Sequence, residues 1–343
     1  MTKQTDKNIL PVGKLPAALL AQLLAQAPTQ DPQVWQGPGV GLDCAVVEMG
    51  EKLLVFKSDP ITFATAEIGW YAVQINANDI ATTGATPRWF LTTLLLPEGQ
   101  TTAELVEQIS QQIYDACRAI NVTVIGGHTE ITHGLPRPIL LGTMIGEVER
   151  ERLVTPKGAK PGDRILLTKG VPIEATALLA REFPERLSHT LTPAELEQAQ
   201  AFLHDPGLSV LPDAKIALQA GQVTGMHDPT EGGIAAALWE LAQASGHALC
   251  VNLAEVPIPP LAYRICQTFG LDPWAAIASG ALLLTAAADD APRICQALNA
   301  ARIPCVNFGV VEAGPASVWH LTERGIERLP FPDRDEITKI YEA

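Results

Sequence analysis

Apolar residues recur along the chain with two periods, and the alternation between them marks out the elements. Leucines cluster from Lys14 to Ala27 and stop at Pro28, which predicts a helix there. Two short apolar runs, Cys44 to Met49 and Leu53 to Lys57, flank Gly50 and predict a hairpin. Thr65 to Thr83 reads as a mostly apolar, half-buried helix closed by Gly84, and Arg88 to Leu96 as a strand ended by Pro97. Leu105, Ile109, Ile113 and Cys117 keep helical spacing through Thr101 to Ala119. Val122 to Ile125 is a short buried-strand pattern running into Gly126 and Gly127, and Ile139 to Val148 is another strand.

The pattern breaks at TPKGAKPGD, a polar, turn-forming stretch, and then restarts. Arg164 to Thr168, Leu249, Ala281 to Thr285 and Cys305 to Val311 read as strands. Ile173 to Ala180, Ala194 to Leu203, Val210 to Ala220, Gly232 to Ala244 and stretches near Ala262 and Ala291 read as helices. Both halves mix the two kinds of element. The expected fold is α+β in two domains, residues 1–153 and 154–343.

Composition narrows the function. With 47% apolar and 18% charged residues, the 343-residue chain has ample material for packed cores. The net charge of −14 argues against a broad surface for nucleic acid or anionic membrane. The most apolar run, Trp274 to Ala287, is too short to span a bilayer. The first residues carry no leader pattern, and six scattered cysteines without a C-x-x-C pair suit a reducing compartment, so a cytoplasmic protein is expected.

No P-loop signature is present, and GPGVG at 37–41 precedes a strand instead of opening a helix. His128 and His133 are five apart among glycines, which suits a loop and not a zinc motif. Acidic and amide residues at element ends stand out instead: Asp43 opening a strand, Asp59 just past one, Asn76 and Asp79 sharing a helix face, and Glu130 after the double glycine. Oxygen ligands of this kind suit Mg²⁺ bridging carboxylates to phosphates. The same residues also suit plain turn and cap roles. In His227–Gly233, Thr230 can cap a helix while Gly232 and Gly233 open its N-terminus to an anion; a simple helix cap fits equally.

Taken in order, GVGLDCAVV, KSDP, NANDIATTGATP, GGHTEI, PGDRILLTKG and HDPTEGG resemble the motifs of the aminoimidazole ribonucleotide synthase-like superfamily, over about residues 35 to 315. Within it the chain looks most similar to the hydrogenase-maturation carbamoyl dehydratase and its relatives, through IEATALLA and DPTEGG. The resemblance implies an N-terminal α/β domain whose strands pair with a second subunit into a homodimer barrel, and an α+β C-terminal domain. It also implies Mg²⁺ and ATP as cofactors, with an unidentified small substrate phosphorylated or otherwise activated. By the same resemblance Asp43, Asp59 and Asp79 hold Mg²⁺, while Asn76, Asn78, Gly126, Gly127, His128, Gly232 and Gly233 bind the nucleotide. Glu130 and Asp228 fall at catalytic positions. Departures qualify it. Leu42 stands where thiamine-monophosphate kinases have a second aspartate, and Cys44 does not match the selenide dikinases' reactive residue. The final residues KIYEA lack the dehydratase's Pro-Arg-x-Cys, and Glu130 and Ala278-Ser-Gly280 differ from the lysine and glutamate at the dehydratase's active positions. The departures from the dehydratase weaken the expectation of nitrile synthesis, and Leu42 leaves room for a nucleotide-binding scaffold without turnover.

Overall fold

The computed structural model describes residues 10, 12–39, 41–332 and 334–341; the absence of a leader, read from the first residues, falls largely outside them. The first half runs α1 (Ala17–Leu24), β1 (Val34–Gln36), β2 (Ala45–Met49), β3 (Lys52–Ile61), α2 (Ile68–Thr82), β4 (Thr86–Pro97), α3 (Ala103–Ala119), β5 (Thr123–Thr132) and β6 (Ile139–Val148). Its strands form one six-stranded sheet in the order β1-β2-β3-β6-β4-β5, open at both edges within a single chain. After a connector the second half runs β7 (Arg164–Thr168), α4 (Ile173–Glu182), α5 (Pro184–Leu187), α6 (Pro193–Ala201), α7 (Leu211–Ala220), β8 (Val223–His227), α8 (Gly233–Ser245) and β9 (Ala248–Val251). It continues with α9 (Pro260–Phe269), β10 (Leu283–Ala286), α10 (Ala291–Ala300), β11 (Cys305–Glu312), β12 (Ser317–Thr322), β13 (Gly325–Arg328) and α11 (Thr338–Tyr341). These strands form a seven-stranded sheet ordered β13-β12-β9-β11-β7-β10-β8.

Helix α2 is the keel of the molecule. Fourteen of its 15 residues are buried, so the half-buried reading of this helix gives way to an almost wholly enclosed one. One face lies on β3 and β6, where Gly142 and Gly146 leave the necessary room. A β-carbon at Gly146 would sit 2.3 Å from Ile80 Cγ2, and one at Gly142 would sit 2.5 Å from Asn76 Nδ2. The opposite side joins a core that also holds Ile173, Leu178 and Ile265 of the second half. That burial is why polar residues on α2 need partners from both sheets.

Strand β5 departs most from its sequence pattern. It runs ten residues and is exposed along nearly all of them, as the outer strand of the sheet. Gly126 and Gly127, expected to begin a loop, lie inside it at φ +155° and +154°. They follow a register shift that leaves Ile125 unpaired against β4, a bulge that only glycine's freedom of backbone accommodates easily. Strand β3 likewise continues through Asp59 and Pro60, so Asp59 sits within a strand and not after it. Strands β8, β12 and β13 have no counterpart in the apolar pattern.

Candidate functional site

Alternation along β3 places Lys57 and Asp59 on the same face as the core residues Leu53 and Val55, turned toward α2. There Lys57 Nζ lies 3.3 Å from Asp59 Oδ2 and 3.3 Å from Asp79 Oδ2. Asn76, one turn before Asp79, locks the strand to the helix: its Oδ1 accepts the Asp59 N–H at 3.0 Å and its Nδ2 donates to the Ala72 carbonyl at 2.8 Å.

The second half supplies the other wall. Strand β8 ends at His227, and the buried Asp228 follows. His227 lies between two carboxylates, with Nδ1 2.9 Å from Asp43 Oδ2 and Nε2 2.7 Å from Glu240 Oε2 on α8. Gly41, at φ +72°, brings the Asp43 loop close to the backbone of Glu240; a β-carbon there would stand 3.0 Å from the Glu240 carbonyl oxygen. Lys14 closes the outer side, its Nζ 3.5 Å from both Glu240 and Glu231 and 3.2 Å from Thr230 Oγ1. Asp43, His227 and Asp228 present ligand atoms all within 4.8 Å of one another.

Electrostatics decide what this cluster can hold. Burial alone would neutralise His227, but Asp43 and Glu240 outweigh it and hold the imidazole well above its usual range, as a cation. Both of its ring nitrogens are also already engaged, Nδ1 with Asp43 and Nε2 with Glu240. The donor set that remains is carboxylate oxygen. Asp43 is driven down, His227 overcoming the cost of burial. Burial pushes Asp59 and Asp79 up, Lys57 opposing it in each, and raises Asp228 to about 6. Both oxygens of Asp228 are buried with no hydrogen-bond partner among the described residues. Four aspartates facing each other around one lysine and one imidazolium are short of positive charge, and a hard divalent cation is the group such oxygens fit.

The structure thus brings together Asp43, Asp59, Asp79 and Asp228, with Asn76 bracing them. Asn78 faces the other way, donating to the Leu208 carbonyl at 2.7 Å and accepting the Val210 N–H at 2.9 Å, and so ties α2 to the second half. Gly126, Gly127, His128 and Glu130 lie elsewhere in the single chain. Asp59, Gly142, Thr92 and Gly127 form one row across the sheet, which sets Gly127 three strand spacings, about 14 Å, from Asp59. His128 Nε2 and Glu130 Oε2 instead meet each other at 3.0 Å on the exposed edge. The expected anion cradle on α8 is already filled. The Gly232 N–H donates to Asp335 Oδ2 at 2.6 Å and the Gly233 N–H to the Thr230 carbonyl at 3.0 Å. Nor does Thr230 cap the helix with its side chain: Gly232 is the N-cap and no side chain performs that role.

Sequence reasoning missed Lys57, His227, Glu240 and Lys14. Lys57 and His227 stood inside the motifs KSDP and HDPTEGG but drew no role there, because their partners Asp79 and Asp43 are distant in sequence. It missed as well a second polar group: Glu174, in the first turn of α4, is buried against Ser279, with Glu231, Asp335 and the Tyr71 hydroxyl in its electrostatic reach. Glu174 Oε2, Ser279 Oγ and Tyr71 Oη all lack hydrogen-bond partners among the described residues.

Comparison with known proteins identifies the family. The chain is 30% identical to the carbamoyl dehydratase HypE of Cupriavidus necator over 245 residues, 70% of this chain and 66% of that protein. Its fold matches the crystal structure of the hydrogenase maturation protein HypE in complex with ATP with a TM-score of 0.69 at 22% identity, covering 92% of this chain and 90% of that one. It matches ThiL complexed with AMPPCP and TMP with a TM-score of 0.68 at 22% identity, covering 91% and 94%. The N-terminal domain model of the AIR synthase related proteins matches residues 41–148 and the C-terminal one residues 160–321, and the chain belongs to that family.

Proposed function

We propose that this protein is a Mg²⁺-dependent, ATP-using enzyme that phosphorylates or otherwise activates a small substrate. The observation that carries the reading is the convergence of Asp43, Asp59, Asp79 and Asp228, spread over 186 positions of sequence, on one polar cluster short of positive charge, with Asp79 and Asp228 buried. The relatives named above, one solved with ATP and one with an ATP analogue, support the nucleotide.

In this reading Asp43 and Asp228, the latter expected from sequence at a catalytic position, would hold the metal, with Asp59 and Asp79 beside them; the closeness of Asp43 and Asp228 supports it. Bound Mg²⁺ would supply neutralisation of phosphate charge, which together with positioning is most of what phosphoryl transfer demands. The chain's own part follows from its geometry. His227 fixes the Asp43 carboxylate, Glu240 keeps the imidazole cationic, and Lys57 holds a positive charge between Asp59 and Asp79. With the Gly232, Gly233 and Ala235 N–H groups committed internally, these side chains are the proposed partners of the phosphate oxygens. The polar atoms of Glu174, Ser279 and Tyr71 left unpartnered among the described residues are proposed to serve the acceptor molecule.

In this reading the protein works as a homodimer in the cytoplasm, joined along the exposed β5 edge, where Gly126, Gly127, His128 and Glu130 lie. The proposed domain division remains 1–153 and 154–343. The relatives named carbamoyl dehydratases favour a second form of the same chemistry, ATP-driven dehydration of a carbamoyl group. It needs an exposed carrier thiol at Cys44 or Cys295; Cys44 is buried with its Sγ donating to the Asp79 carbonyl at 3.3 Å, whereas Cys295 is partly open to solvent. Isothermal calorimetry tests the main reading. ATP should bind the wild-type protein with Mg²⁺ and at least tenfold more weakly with EDTA. Binding that ignores the metal, or no binding at all, would overturn it; tight binding with no ADP formed in the presence of candidate substrates would leave a scaffold.

A further inference from the structure

Helix α10 and strand β11 are joined by a tight four-residue connection; α10 carries Cys295 in its middle turn and β11 begins at Cys305. Cys295 Sγ and Cys305 Sγ lie 3.1 Å apart. The two side chains are not equivalent: Cys305 is buried in the core between α10 and the second sheet, whereas Cys295 is partly open to solvent. Asn299 holds the pair in place, its Oδ1 accepting the Cys305 N–H at 3.1 Å from one turn beyond Cys295. We propose that Cys295 and Cys305 are a reversible thiol–disulfide exchange site whose co-substrate is a small-molecule disulfide of the oxidised-glutathione class.

The chemistry follows from the asymmetry. The Cys295 thiolate attacks one sulfur of the small disulfide RSSR, forming a mixed disulfide and expelling RS⁻. Cys305 then gives up its proton, and its sulfur attacks Cys295 Sγ and expels the second RS⁻. In balance, two protein thiols lose two protons and two electrons, one Sγ–Sγ bond forms, and RSSR becomes two RSH. Only the partly exposed Cys295 sulfur is within reach of a small disulfide, which assigns attack to it and resolution to the buried Cys305 3.1 Å away; the contact between them also lowers the Cys295 thiol. The site also has a route to the rest of the molecule. Cys305 pairs with Thr168, the Lys169 N–H donates to the Pro304 carbonyl at 2.7 Å, and Lys169 Nζ donates to the carbonyls of Ser209 and Gly280 at 2.6 and 3.0 Å. Ser209 lies between the two residues that Asn78 binds.

The inference stands independently of the nucleotide reading. The test incubates the folded, full-length protein with oxidised glutathione, alkylates the remaining thiols and maps peptides by mass spectrometry. The expected product is a Cys295–Cys305 cross-link, the chain lighter by two hydrogen atoms, reversed by dithiothreitol. Cys305→Ser should instead accumulate glutathione on Cys295, and Cys295→Ser should show no cross-link. The proposal is overturned if wild-type protein keeps glutathione on Cys295 while Cys305 is still alkylated, or if both thiols stay free while the partly exposed Cys250 is modified.

Discussion

Asp228 is fully buried, and neither of its oxygens is hydrogen-bonded among the described residues. Such a carboxylate destabilises the empty protein, and buried acids of this kind concentrate at functional sites. Asp228→Asn keeps the shape and removes the charge. It should raise the melting temperature of the metal-free protein while abolishing most of the stabilisation that Mg²⁺ and ATP give the wild type, both read by thermal melts. Glu174 gives a pH signature. Burial, reinforced by Glu231 and Asp335, raises it to about 8 although Ser279 opposes the shift. The folded protein therefore keeps a proton that the unfolded chain releases above about pH 4.5. Its contribution to stability falls as pH climbs from there to about 8, by up to ~1.4 kcal/mol per pH unit. Glu174→Gln should flatten that decline in melts between pH 5 and 9; an unchanged slope would remove Glu174 as its source. Individual aspartates were legible in sequence because each sits in a short motif. Their partners were not: Lys57 with Asp79 and His227 with Asp43 are long-range pairings that no local period encodes.

The geometry at these residues depends on α2 lying hard against the first sheet. Gly146 is where that contact is tightest, so Gly146→Ala should drive Ile80 and α2 outward. The expected cost is about 1–3 kcal/mol in urea denaturation, with weaker ATP binding alongside. A stability change below about 0.5 kcal/mol would mean the sheet yields instead. Most helices and central strands could be read from apolar spacing, because one buried face imposes one period. The failures share a cause. Strand β5 is an exposed edge, so its residues escape the pressure to alternate, and its glycines imitate a turn. Strand β8 is five residues containing a glycine and a histidine, and nothing in its composition separates it from a loop.

The six-stranded sheet leaves β5 unpaired with Ile125 and Ile131 exposed at 51% and 61%, the kind of edge that soluble proteins cover or pair. Sedimentation should find a dimer, and Ile125→Lys with Ile131→Lys should shift it to monomer; a wild-type monomer at micromolar concentration would refute pairing through this edge. The two-half organisation was plain from the break near TPKGAKPGD, but the way α2 is gripped from both sides was not, because Asn78 reaches across 130 residues to Leu208. Everything functional rests on that grip bringing Asp228 to Asp43, Asp59 and Asp79. Crystals grown with Mn²⁺ and a non-hydrolysable ATP analogue test it most directly through anomalous scattering. The expected result is a Mn²⁺ peak ligated by Asp43 and Asp228 and by phosphate oxygens of the analogue. A nucleotide bound elsewhere, or no metal between those two carboxylates, would contradict it.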